Sequence, residues 1–177
     1  MTAWVALLRG VNVGGVTIRS AELAELFRTL GFDAVRTVLA SGNAAFEADA
    51  GIRARGELKA RIEQGLRDRF GYDAWIVLVT LDELTTAIGR FPFDAGDETR
   101  QPWVIFCADE PTRDELVEAA ASLDDSADPV AAGPGVVYWN PVKGTTTDTP
   151  FAKVLAKSAY RARTTNRNLR TLVRIRG

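Results

Sequence analysis

The chain has 177 residues and a mass of 19.2 kDa; 46% of the residues are hydrophobic and 25% charged, with 22 Lys and Arg against 23 Asp and Glu. This composition fits a globular protein of one or two small domains, and a chain of this length buries roughly 70% of the surface it exposes when unfolded, so neither a metal nor a disulfide is needed to hold it together. There is no His, which excludes a Ser-His-Asp triad, a His-assisted cysteine nucleophile and a His-ligated zinc or haem within the chain.

The apolar run Trp4 to Leu8 has no basic leader before it and no small-residue cleavage site after it, so no signal peptide is expected. Nothing approaches the ~20 apolar residues of a membrane span, and no membrane partner is expected. A strand is expected over residues 3–8, followed by the loop Arg9-Gly10-Val11-Asn12-Val13-Gly14-Gly15. Ser20 is the expected N-cap of a helix whose Leu23, Leu26, Phe27 and Leu30 recur at helical spacing before Gly31. Val35–Leu39 and Asn43–Glu47 flank Ala40-Ser41-Gly42 as two strands joined by a tight turn. Leu58, Ile62, Leu66 and Phe70 mark a second helix ending near Gly71, and Trp75–Val79 reads as the next strand. The order over residues 1–80 is β-α-β-β-α-β, the split βαβ or ferredoxin-like unit.

Thr80 and Glu83 form a capping box for a short helix carrying Leu84 and Ile88, and Phe91–Gly96 reads as a connection. The pattern then restarts. Trp103–Cys107 reads as a strand, Thr112 and Glu115 as the cap of a helix with Leu116, Val117, Ala120 and Leu123, and Val130–Ala132 with Val136–Trp139 as a hairpin around Gly133-Pro134-Gly135. Thr149-Pro150 starts another helix with Phe151, Val154 and Leu155 facing inward. The expectation is an α+β protein with two tandem ferredoxin-like subdomains built on antiparallel sheets, residues 1–96 and 97–177, the second ending in extra helices. The duplication is visible in element order, not in residue identity.

The single Cys107 lies between Phe106 and Ala108, and these apolar neighbours point to a buried, inert thiol in a reducing cytosol. Charge is uneven: residues 143–177 hold nine Lys or Arg and the single acid Asp148, whereas residues 1–142 hold 13 bases and 22 acids. The tail therefore either meets an anionic partner or pairs with the acidic body. Within it Lys153, Lys157 and Arg161 recur every four residues opposite Phe151 and Leu155, and Arg163, Arg167, Arg170 and Arg174 follow across Leu169, Leu172 and Val173, so a pair of amphipathic helices with one basic surface is expected.

A split βαβ unit sends the loop after its first strand and its hairpin turn to the same sheet end. Arg9, Asn12, Gly14 and Gly15 then meet Ser41, Gly42 and Asn43 near a helix N-terminus, where backbone N–H groups suit phosphate or carboxylate. Gly-x-Asn-x-Gly-Gly matches neither the dinucleotide fingerprint nor a P-loop. Turn chemistry alone also accounts for the Asn and Gly residues, whereas Arg9 is either solvated or paired with an anion.

Ala6-Leu7-Leu8-Arg9-Gly10-Val11-Asn12-Val13-Gly14-Gly15, with Ala21-Glu22-Leu23, Leu30-Gly31-Phe32, Val35-Arg36-Thr37 and Ser41-Gly42-Asn43, resembles the domain of unknown function family 1697 over essentially the whole chain. Thr165-Asn166-Arg167-Asn168-Leu169-Arg170-Thr171 is similar to that family's Thr-Thr-Arg-Asn-Trp-x-Thr signature, with Asn166 in place of the second Thr and Leu169 in place of the Trp; Val16-Thr17 stand where members often carry Lys. The resemblance implies the same tandem of ferredoxin-like subdomains and brings no established activity, substrate or cofactor. The leading expectation is a cytosolic protein that binds a small anion, a nucleotide or a nucleic acid through the first-subdomain loops and the Arg167-Asn168 segment, with Lys153, Lys157, Arg161, Arg163 and Arg170 as a basic surface. No metal and no cofactor is expected. A non-catalytic interaction or oligomerisation module, for example a homodimer, is the second reading, and an enzyme using Asp, Lys or Arg the third.

Overall fold

A computed structural model describes residues 1–11, 16–124 and 128–177. It is an α+β structure with two four-stranded antiparallel sheets, and the chain divides into a unit of residues 1–85 with 174–177 and a unit of residues 86–173.

In the first unit β1 (Thr2–Leu8), α1 (Ser20–Thr29), β2 (Asp33–Thr37), β3 (Asn43–Ala48), α2 (Arg55–Phe70) and β4 (Ile76–Thr80) follow in that order. The strands lie β2-β3-β1-β4 across the sheet. Trp4, Ala6 and Leu8 on alternate positions of β1 pack with Leu23 and Phe27 of α1 and Leu58, Ile62 and Leu66 of α2, the pairing of period-two and period-3.6 apolar faces that the sequence requires. Phe27, Phe32 and Phe46 meet there with ring centroids 4.6–5.8 Å apart. Val5 and Leu7, on the other face of β1, are equally buried, which is why the strand is a continuous apolar run and not an alternating one.

The β2–β3 hairpin differs from a tight turn at 40–42. β2 ends at Thr37, the connection spans 38–42, and Leu39 and Gly42 both have positive φ (59° and 76°). The reversal is closed by Val38 N donating to Asn43 O at 3.0 Å. The buried Asn43 amide also donates to Val38 O and to Ser41 Oγ, each at 2.8 Å. α3 (Leu81–Gly89) starts with the expected capping box: Glu83 N donates to Thr80 Oγ1 at 3.1 Å and Thr80 N to Glu83 Oε2 at 2.8 Å.

In the second unit β5 (Trp103–Cys107), α4 (Glu110–Ala121), β6 (Val130–Gly133), β7 (Val136–Trp139), α5 (Pro150–Leu155), α6 (Ser158–Arg161) and β8 (Thr164–Asn168) build a sheet in the order β6-β7-β5-β8. Ile105, Val137 and Trp139 pack against Leu116, Phe151 and Leu155. The cap of α4 is Asp109, whose carboxylate accepts from Thr112 N at 2.8 Å, so Thr112 is inside the helix and is not its cap. The two bonds from Thr112 hold the Asp109 carboxyl below its ordinary pKa.

The tail is not a continuous pair of helices. Residues 164–168 form the fourth strand, pairing antiparallel with β5, Trp103 opposite Asn168 and Cys107 opposite Thr164. The apolar spacing of Leu169, Leu172 and Val173 belongs only to α7 (Leu169–Arg176). Adjacent β-branched Thr164 and Thr165 favour extended backbone. On a strand Thr165 and Arg167 also share a face, and Arg167 Nη1 donates to Thr165 Oγ1 at 2.8 Å. At the far end of α7, Arg36 donates to the carbonyls of Arg174 and Ile175, a cation at the negative end of the helix dipole.

Cys107 is 8% exposed, and burial pushes its thiol up to about 12. The folded state therefore favours the protonated thiol, a contribution complete below the unfolded thiol value near 8.5 and lost as pH rises through 12. At pH 8 the native protein is expected to leave a disulfide exchange reagent unreacted over the time in which the urea-unfolded chain reacts fully; equal rates would show an accessible thiol.

Candidate anion-binding edge

The loop leaving β1 and the β2–β3 turn do meet at one end of the first sheet. Leu8 N donates to Gly42 O at 2.8 Å and Arg9 N to Trp75 O at 3.3 Å, so the end of β1, the hairpin turn and the approach to β4 converge on Arg9. Gly42 packs so closely that a Cβ there would stand 2.9 Å from Leu8 Cβ. The Tyr72 hydroxyl donates to the carbonyl of Arg9. Burial raises the Tyr72 pKa and the positive charge of Arg9 offsets part of that rise. Arg9 is half-buried and Ser41 exposed, whereas Gly42 and Asn43 are buried. Asn12, Gly14 and Gly15 lie outside the described residues.

Asn43 and Gly42 thus have turn-building work visible in the structure, and Arg9 and Ser41 are the site residues that reach the surface of this edge. Tyr72 was not anticipated. The signal for it is topological: β4 runs antiparallel to β1, so the residues entering β4 must come to the end where β1 leaves.

The second unit repeats this construction. Cys107 N donates to Gly135 O at 3.1 Å, and Gly135 has φ 68°, as Leu8 and Gly42 do in the first unit. The connections differ. In the second unit residues 108–109 suffice to join the first strand to its helix, whereas in the first unit the same step takes residues 9–19. The fold alone does not need the longer connection.

Of the tail residues, Lys153, Lys157, Arg161 and Arg170 are exposed. Arg163 pairs with Glu115 through two bonds of 3.0 and 3.2 Å and donates to Thr112 Oγ1 at 2.9 Å. The buried Arg167 donates to Asn166 O at 2.9 Å as well as to Thr165. Asn168 accepts from Arg170 N at 3.0 Å. Arg167 and Asn168 belong to the second unit, and Arg9 and the hairpin turn to the first. Among the described residues no group of three His, Cys, Asp or Glu could hold a metal ion, and no helix is long and apolar enough to cross a membrane.

The sequence pattern of the family described as "Protein of unknown function (DUF1697)" matches residues 1–138. The chain belongs to this family. The DUF1697 match includes Arg9, the paired glycines and the hairpin turn, and stops before the tail. No curated protein matches the chain. A solved structure, that of a conserved bacterial protein from Streptococcus pneumoniae, is similar over 99% of this chain and 97% of its own, with a TM-score of 0.81 at 21% identity. At that identity the likeness establishes the α+β fold of this DUF1697 protein and nothing about its activity.

Proposed function

We propose that the protein is a cytosolic binding protein for a phosphate-bearing anion, held at the loop end of the first sheet by Arg9, the 9–19 connection with Asn12, Gly14 and Gly15, and the Ser41–Asn43 turn. The exposed bases of the C-terminal segment, Lys153, Lys157, Arg161 and Arg170, offer a separate contact for an anion. The strand orders β2-β3-β1-β4 and β6-β7-β5-β8 support reading the two units as ferredoxin-like subdomains in tandem. The observation that carries the functional reading is the difference between the two copies: the same strand-to-helix step takes two residues in one unit and eleven in the other, and the extra length starts at Arg9. Long connections on a repeated scaffold are where binding residues are placed. An Arg beside glycine-rich backbone provides charge and N–H donors together.

Thermal shift with phosphate, pyrophosphate and a nucleotide panel tests this. One charge-assisted contact contributes about 1.5–3 kcal/mol, so Arg9→Ala is expected to weaken binding of the ligand that stabilises the wild type by about 10- to 150-fold. Without ligand its melting temperature should stay close to that of the wild type, because the Arg9 backbone bonds remain. Equal stabilisation of both proteins by every ligand would remove Arg9 from the site.

A further inference from the structure

The tail charges are open to two readings, internal pairing with the acidic body or contact with an external anion, and the surroundings of Lys153, Lys157 and Arg161 favour the second for these three. Among the described residues Arg55, Lys59, Arg67, Arg69 and Arg113, all outside the tail, pair with acids also outside it. Within the tail Arg163 pairs with Glu115. Lys153, Lys157 and Arg161 are exposed, make no ion pair among the described residues, and share residues 143–177 with one acid, Asp148. Lys153 is on α5, Lys157 is the N-cap of α6 and Arg161 ends it. The helix breaks at 156–157, where Lys157 is extended and its N–H donates to Val154 O at 3.1 Å.

We infer that Lys153, Lys157 and Arg161 form a docking surface for the phosphate backbone of double-stranded nucleic acid. This rests on the reading of the C-terminal segment as a phosphate contact and names its partner. A single strand is held by stacking bases on exposed aromatic rings. The aromatics of this segment are Phe151, 1% exposed, and Tyr160, half-buried with the Arg163 guanidinium 5.8 Å over its ring. A membrane surface would need large apolar side chains beside the cations, and the exposed neighbours here are Ala156, Ala159 and Ala162. What remains is contact with a phosphate backbone, read for charge and not for sequence.

Three phosphate contacts give log K against log[salt] a slope of about −2.7, so affinity for a 20-base-pair duplex is expected to fall about 40-fold between 50 and 200 mM salt. K153E/K157E should abolish most of the binding and flatten the slope to about −1 while leaving the circular dichroism spectrum and melting temperature unchanged. R161A gives an independent, milder loss. Duplex binding unaffected by either variant would overturn the surface. Equal or tighter binding of a single strand, of heparin or of phosphatidylserine vesicles would overturn the duplex as partner and leave the anion reading standing. No binding to any of these at 50 mM salt would overturn both for the tail, while phosphate binding lost in Arg9→Ala would still uphold the loop site.

Discussion

Replacing Gly42 with valine is expected to lower stability by about 2 kcal/mol or more. Gly42 has φ 76°, a region that costs an L-residue about 1–2 kcal/mol and a β-branched one more. The added Cβ would also stand 2.9 Å from Leu8 Cβ and 3.5 Å from Val11 Cβ. Neither is the loose end of a long side chain, because Leu8 is fixed in β1 by its bond to Gly42 O. Relief therefore requires the hairpin turn to move away from the end of β1, which loosens the convergence on which Arg9 sits. Urea unfolding should show the midpoint shifted down with little change in slope. Phosphate-type ligands should stabilise the variant less than the wild type. A midpoint equal to that of the wild type would show that the turn tolerates a side chain and that the close approach is not structural.

The second large effect is expected at Asp128, which is 4% exposed in the second unit. One carboxylate oxygen accepts from the Trp139 indole N–H and the other from Phe151 N at 2.9 Å. Phe151 N is one of the first-turn N–H groups of α5, which have no partner within the helix; Thr149 Oγ1 satisfies the next at 3.1 Å. The carboxylate thus ties the end of β7 to the start of α5. Asp128→Ala leaves two buried donors unpaired at about 1–3 kcal/mol each, and a total loss of about 3 kcal/mol is expected. Asp128→Asn keeps one acceptor oxygen and should lose about half as much. Trp139 fluorescence during urea unfolding reads both. A loss below about 0.5 kcal/mol for the alanine variant would mean that the chain rearranges to satisfy these donors another way.

These two residues show where sequence reasoning carries and where it stops. Gly42 could be singled out from the chain because a Gly beside Ser and Asn between two apolar runs signals a turn. Asp128 carries no such signal, since nothing in its sequence neighbours announces that Trp139 and Phe151 come to it. The same split runs through the tail. Lys153, Lys157 and Arg161 are exposed as the periodicity predicts, although the helix is broken between them, whereas the same periodicity extended through Thr164–Asn168 predicts a helix where a strand forms. The strand exists because the edge of β5 supplies a hydrogen-bonding partner, and a pairing partner is not written into the strand's own residues.

For the candidate site, local patterning determined the elements: apolar alternation placed β1, 3.6-residue spacing placed α1 and α2, and the capping box placed α3. Those elements in their order brought the loop after β1 to the hairpin turn, because β3 lies beside β1 and antiparallel to it in the sheet. The tertiary structure alone decided which polar groups are consumed in building the fold. Asn43 and Arg167, both sequence candidates for binding, are buried with bonds to their own turn and strand, while Arg9 is half-buried and Lys153, Lys157 and Arg161 are exposed. The physical reason is that a residue's type fixes which bonds it can form, but burial and the groups brought beside it from distant segments fix which of those bonds are made within the chain.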